Sequence, residues 1–153
     1  MKENYNSTKD INAIKEMVSK CQIVKIIMHK NNVFPLNYGY EFKNNQLILY
    51  CCCNIKGKKL DILDKNPNVS IEIDNESELI ENNHICKNNS QYFSITSLGK
   101  VEFVYNIYDK IHGLNRIIEH DNLFKDKFLK NKSLNNISLI KIKCKDLSTK
   151  YIQ

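Results

Sequence analysis

Three adjacent cysteines, Cys51, Cys52 and Cys53, are followed at once by Lys56, Lys58 and Lys59. No other residues in the chain invite chemistry so directly by type and spacing. Thiols can bind metal, carry redox equivalents or fill a core. Adjacent cysteines do not converge easily on one ion, no CxxC pair occurs, and Cys21, Cys86 and Cys144 stand alone. The six cysteines therefore read as reduced, small apolar residues, and no metal site is expected. His84 and Cys86 together offer too few ligands for one. His112 and His120 lie eight residues apart, two helical turns, too far to share an ion, and read as surface or interface histidines.

The lysines pose a different question. Residues 58–65, KKLDILDK, read as a helix that stops before Pro67. Lys56, Lys58 and Lys59 then surround its positive end, and Asp64 lies near its negative end. Helices favour the reverse arrangement by about 0.3–1 kcal/mol per charge. An anion at the N-terminus would resolve the conflict, because free N–H groups and ammonium groups would converge on it. Chance clustering in a lysine-rich chain is the other reading, and the helix alone leaves both open.

Several elements must position these groups. Residues 10–20 carry Ile11, Ile14, Met17 and Val18 at helical spacing, with Asp10 as N-cap. Residues 21–29 and 33–42 read as two strands of a hairpin turned at Lys30, Asn31 and Asn32. Pro35, which has no N–H for a ladder, marks an edge, a bulge or a place where something approaches, and Gly39 permits close approach or a bulge. After a turn at residues 43–45, residues 47–53 form a strand apolar on both faces, which belongs inside a closed or covered sheet. Residues 68–74 alternate Val69, Ile71 and Ile73. Residues 75–90 read as a long polar loop. Residues 91–105 form a long strand with Phe93, Ile95 and Ser97 on one face and Ser94, Thr96 and Leu98 on the other, and a bend or bulge at Gly99. A helix over 108–120, a short helix over 123–129 and a last strand over 137–147 complete the chain. The expected fold is mainly β (α+β): a six-stranded antiparallel barrel with flanking helices, one domain over residues 1–153.

Composition sets the class. Of 153 residues, 42% are hydrophobic and 26% charged, as in ordinary globular proteins. No apolar run is long enough for a membrane span, and the polar first ten residues lack a secretory leader, so no membrane association and a cytoplasmic location are expected. The net charge of +6 is scattered and almost all lysine, with Arg116 the only arginine, which disfavours a nucleic-acid partner.

Three stretches, VFPLNYGYEF (33–42), GKKLDILDKNPNVSIEID (57–74) and YFSITSLGKVEFV (92–104), together resemble the pyridoxamine 5'-phosphate oxidase-like split-barrel family, nearest the branch of nitroimidazole-resistance flavoproteins. The likeness runs from about Ile11 onward. It implies a split barrel and a homodimer with FMN, or FAD, at the subunit interface. It places Pro35, Leu36, Asn37 and Tyr38 along the flavin ring through their backbone, and Tyr50, Cys51, Cys52 and Cys53 on the next strand's contacts. Lys58 and Lys59 match the family's paired basic positions at the phosphate. Ser94 falls on the facing strand, contributed by the other subunit, and Gly99 matches that strand's glycine. The chain departs from the branch at Cys52, where a histidine is usual, at the phosphate, where lysine replaces arginine, and around Leu98.

The implied function is an FMN-dependent oxidoreductase that passes electrons from a nicotinamide donor to a small-molecule acceptor such as a nitroaromatic. A flavin or haem binding, carrier or redox-sensing protein is the alternative, with His84, His112 or His120 as axial ligand. The flavin carries the electron chemistry, so the lack of a catalytic triad or paired carboxylates is no obstacle, and no catalytic side chain is singled out.

Overall fold

The computed structural model describes residues 6–54, 57–76, 92–121 and 137–152. Lys56, His84, Cys86, most of the polar loop expected over 75–90 and the helix expected over 123–129 lie outside them. The described elements are helix α1 (Ile11–Lys20), strands β1 (Ile23–Ile27), β2 (Val33–Lys43) and β3 (Gln46–Asn54), helix α2 (Lys58–Lys65), β4 (Asn68–Asp74), β5 (Tyr92–Val104), helix α3 (Ile107–His120) and β6 (Ile137–Ile152). The six strands close into an antiparallel barrel in the order β1-β2-β3-β6-β5-β4. The fold is thus the six-stranded barrel with flanking helices that the strand patterns imply.

Local chemistry explains the joints. Asp10 caps α1 by accepting from the Asn12 N–H at 3.1 Å. Asn44 and Asn45 both adopt positive φ, 51° and 64°, which is the two-residue hairpin turn whose twist matches its strands. Asn106 caps α3, accepting from Tyr108 N–H at 2.9 Å and Asp109 N–H at 3.3 Å.

Alternation builds two cores. Val24 and Ile26 of β1, Leu49 and Cys51 of β3, Ile71 of β4 and Ile142 of β6 fill the barrel interior with at most marginal exposure. The opposite face of β3 is also apolar: Ile48 and Tyr50, with Leu139 of β6, are buried under Leu114 and Ile117 of α3. A strand covered on both faces has no polar side, which is why residues 47–53 carry no alternation.

Gly39 explains how α3 sits so close. A Cβ built there would lie 2.3 Å from the Ile117 backbone nitrogen and 2.4 Å from the Arg116 carbonyl carbon. Gly113 does the same from the helix side, where a Cβ would meet Leu139 Cδ2 at 2.5 Å and Tyr50 Cδ1 at 2.8 Å. The helix therefore gives up some propensity at Gly113 to gain contact with β3 and β6.

Two details differ from the sequence reading. The irregularity in β5 falls between Thr96 and Leu98 rather than at Gly99, and the extra residue belongs to β6, where Asp146 adopts φ 58°. Strand β6 also continues to Ile152, five residues beyond the expected end, because its last residues pair with the start of β5, as in Ser94↔Lys150. The N-terminal strap is tied to this extension. Thr149 Oγ1 accepts from Thr8 N–H at 2.8 Å and donates to the Thr8 carbonyl at 2.7 Å.

Candidate functional site

The β2–β3 ladder runs only from Tyr38↔Cys51 to Lys43↔Gln46. Residues 33–37 of β2 pair with β1 on their other side, with Pro35 opposite Lys25. The barrel is therefore split beside Pro35, Leu36 and Asn37 on one strand and Cys52 and Cys53 on the other. Pro35 is an edge residue on its β3 side, one of the three roles its missing N–H allowed.

Beside this split lies a cleft of about 590 Å³, within the usual range for small-ligand sites. Its walls combine cations (Lys30, Lys58, Lys59, Lys65) with apolar groups (Met28, Val33, Ile62). Lys58 and Lys59 open α2, whose N-cap, Gly57, supplies no side chain to satisfy the first N–H groups. Lys59 Nζ rests over the Phe34 ring, 4.9 Å from its centroid. Lys59 also acts on the Cys53 thiol, so the end of β3 borders the same lysine. Cations, free helix N–H groups and an apolar wall suit an anion carried on a flat apolar body.

Asp61 lies in the first turn of α2 and Lys65 in its last, so the helix also carries charges in the favourable order. The conflict that Lys58 and Lys59 create is smaller than a reading of Lys56, Lys58, Lys59 and Asp64 alone suggests. The case for an anion rests on the cleft, not on the dipole.

The remaining candidate residues divide by accessibility. Tyr38 is fully buried, with its hydroxyl donating to the Val18 carbonyl of α1, so only its backbone is available beside the split. The Asn37 amide donates to Asp121 Oδ2 at 2.9 Å, which fixes its side chain to the end of α3. Leu36 is half-buried against the core. Tyr50 lies under α3 and Cys51 inside the barrel, so their side chains do not reach the cleft. Cys52 and Cys53 are half-buried on opposite faces of β3.

Burial pushes the Cys52 thiol up to about 12 and the Cys53 thiol up to about 11, the latter despite the pull of Lys59. Such thiols stay protonated near neutral pH and are poor nucleophiles. Cys51, Cys52, Cys53 and Cys144 form no disulfide. No group of three or more His, Cys, Asp or Glu side chains among the described residues could hold a metal.

Ser94 is buried on β5, between Asp74 of β4 and Lys150 of β6. Following the register from Pro35 through Lys25 and Glu72 to Thr96 crosses three strand spacings, roughly 14 Å around the wall. Within one chain, Ser94 does not join the cleft.

His112 is exposed, as a surface histidine should be, whereas His120 is half-buried: its Nε2 donates to the Cys21 carbonyl, and its ring packs between Tyr38 and Tyr40 at centroid distances of 4.9 and 5.1 Å. His112 Nε2 bonds Glu41 Oε2 at 2.8 Å. Glu41, which sequence reasoning missed, also accepts from the Tyr50 hydroxyl at 2.6 Å. Burial works to raise its carboxyl, but the bonds from Tyr50 and His112 and the charges of His112 and Lys43 outweigh it and hold Glu41 below the usual range. Nothing in a lone glutamate on a strand signals such partners; they come from β3 and α3, nine and 71 residues away.

No family model matches the sequence, and no curated protein matches it. Solved structures do. A candidate 5-nitroimidazole antibiotic resistance protein from Bacteroides thetaiotaomicron superposes with TM-score 0.71 at 20% identity, covering 99% of this chain and 89% of that one. An FAD-binding protein from Mesorhizobium loti gives 0.66 at 17% identity, covering 97% and 99%. The haem storage protein of Vibrio cholerae gives 0.62 at 13% identity, covering 89% and 91%. No helix among the described residues is long and apolar enough to cross a membrane. The chain therefore has the split-barrel fold of the nitroimidazole-resistance and pyridoxamine 5'-phosphate oxidase-like proteins.

Proposed function

We propose that this chain is an FMN-binding flavoprotein that passes electrons from a nicotinamide donor to a small acceptor such as a nitroaromatic. One observation carries the reading: the β2–β3 ladder opens beside a lysine-lined cleft, at the residues where a flavin ring and its phosphate would have to meet. Lys58 and Lys59 would hold the phosphate, with Lys30 and Lys65 adding to the field around it. The backbone of residues 35–38 and of 50–53 would line the ring edge. Bound there, the flavin supplies hydride acceptance and electron transfer. The protein's part is to bind the phosphate, orient the ring along the split and exclude water with Val33, Ile62 and the half-buried Cys52 and Cys53.

The distance of Ser94 from the cleft supports a homodimeric site, because a second copy is the way for that residue to approach a ligand held at Lys58 and Lys59. Two of the solved structures with this fold are proteins described as FAD-binding, so FAD is a second candidate for the same cleft. A haem carrier is less well supported at two of its candidate ligands: the Nε2 atoms of His112 and His120 are both engaged in hydrogen bonds.

The absorbance spectrum of the purified protein tests the reading. Flavin bands near about 370 and 450 nm that bleach on adding NADH or NADPH support an oxidoreductase. A flavin that stays oxidised supports a carrier, a Soret band supports the haem reading, and a protein that stays colourless with added FMN overturns the flavin reading.

A further inference from the structure

Two residues that local structure does not favour meet each other beside the split. Asparagine is depleted in strands, yet Asn37 sits within β2. An acid is disfavoured at a helix C-terminus, yet Asp121 is the C-cap of α3 and is buried there. Asn37 Nδ2 donates to Asp121 Oδ2 at 2.9 Å, joining residues 84 positions apart. The bond offsets part of each local cost and holds one side chain in a single orientation.

Strand alternation gives the face. Tyr38 and Cys51, the last pair of the β2–β3 ladder, both point into the barrel core. Asn37 and Cys52 therefore point outward, and Cys52 packs beside Leu114 and Ile117 of α3. Asn37 is also the first residue of β2 beyond that ladder. On its β1 side it pairs with Ile23, which is 45% exposed. Pro35 and Val33, two and four residues back along β2, share the outward face, and both are exposed. Val33 lines the lysine cleft, about 13 Å along the strand from Asn37. An apolar strip thus runs from the cleft to the Asn37 amide, over a distance that a ribityl chain and the ring beyond it can span.

The carboxylate also decides which end of the amide faces the strip. A carboxylate oxygen only accepts, so Asn37 turns its NH2 to Asp121 and its Oδ1 away. No described residue donates to Oδ1, and Arg116 Nε is the one buried side-chain nitrogen or oxygen without a partner among the described residues. Oδ1 is therefore an acceptor that is open to a ligand. An oxidised flavin ring carries one N–H, at N3, on its pyrimidine edge. We propose that Asn37 reads that edge, its Oδ1 accepting from N3–H, and that Asp121 is the positioning residue that keeps Oδ1 outward. This rests on the flavin reading. Released from Asp121, the amide also populates the flipped orientation, which sets its NH2 against N3–H and repels it.

The test titrates the full chain with FMN and with FMN methylated at N3, followed by flavin fluorescence. Wild-type protein is expected to bind FMN about tenfold tighter than the methylated flavin. Asn37→Ala is expected to weaken FMN about five- to tenfold and to erase the preference, because neither flavin then meets an acceptor. Asp121→Ala is expected to cut the preference to about two- to threefold. Asp121→Asn, whose side-chain carbonyl still accepts from Asn37 Nδ2, is expected to keep it. An equal loss for the two flavins in Asp121→Ala makes Asp121 merely structural and overturns its positioning role. A preference that survives Asn37→Ala overturns the contact to N3–H and leaves the flavin reading standing. Saturation of the wild-type protein by neither flavin overturns the flavin reading and this inference with it. Where Asp121→Ala does not fold, by circular dichroism, the other two variants decide: a preference lost in Asn37→Ala and kept in Asp121→Asn supports the proposal, and the reverse overturns it.

Discussion

Replacing Lys59 by alanine should weaken FMN binding less than replacing Lys58, although both open the same helix. A hydrogen bond from a charged group is worth about 1.5–3 kcal/mol. Both lysines are exposed, which places each toward the lower end. Lys59 has a further cost. Its Nζ rests 4.9 Å over the Phe34 ring, an interaction of about 0.5–1 kcal/mol that it gives up to reach a phosphate. The net loss for Lys59→Ala is then about 1 kcal/mol, a fivefold weaker Kd, against about 1.5–2 kcal/mol, ten- to thirtyfold, for Lys58→Ala. Phe34→Leu removes the competing ring and should tighten FMN by about two- to fivefold, while costing stability because Phe34 is buried in the core. Quenching of flavin fluorescence on titration measures all three. Wild-type affinity in both lysine variants, with the fold intact by circular dichroism, would refute the placement of the phosphate. Equal losses at the two sites would refute the role of Phe34.

Other outcomes follow from the packing and the charges. Gly39→Ala forces a Cβ onto the α3 backbone at 2.3 Å, so the helix must retreat; denaturant unfolding should show a loss of about 1–3 kcal/mol, whereas Gly57→Ala, with nothing within 4 Å, should change stability by less than about 0.5 kcal/mol. The Cys53 thiol, raised from 9.0 to about 11, should be alkylated by iodoacetamide about a hundredfold more slowly in the native protein than in urea near neutral pH, and a rate equal to that of the unfolded chain would contradict its burial. Glu41 has a depressed carboxyl, so its contribution is present above the unfolded-state value and is lost as pH falls through the folded one. Wild-type protein should therefore lose more stability than Glu41→Gln between about pH 5 and pH 3, and parallel acid curves would contradict the Tyr50 and His112 bonds.

Local chemistry made much of this fold legible. Helix α2 and strand β4 fall where residues 58–65 and 68–74 are read from Pro67 and from the alternation of Val69, Ile71 and Ile73. The doubly apolar β3 announced that something covers its outer face, and Gly39 announced a close approach; neither could say that α3, some eighty residues later, does both. The same limit hid the site's partners. Asp121 gave no sign that it holds Asn37, and Glu41 none that it joins Tyr50 to His112, because these contacts are set by how α3 crosses the sheet. For that reason the burial of His120 between Tyr38 and Tyr40 was not legible, whereas His112 is exposed, as a surface histidine should be. The lysine cleft was half legible. Lys58 and Lys59 stood out by sequence, whereas Lys30 arrives from the β1–β2 turn, held at φ 61°, and Lys65 from the far end of α2. The β6 extension was missed because residues 148–152, STKYI, alternate weakly and are ordered by pairing with β5.

Titration of the purified protein with FMN, followed by flavin fluorescence, tests the central claim most directly. The account predicts saturation at one FMN per chain with a Kd at or below about 1 µM, and a progressive loss of affinity through Lys59→Ala, Lys58→Ala and the double variant. Fluorescence that falls only in proportion to dilution, with no saturation up to about 100 µM protein, would contradict it.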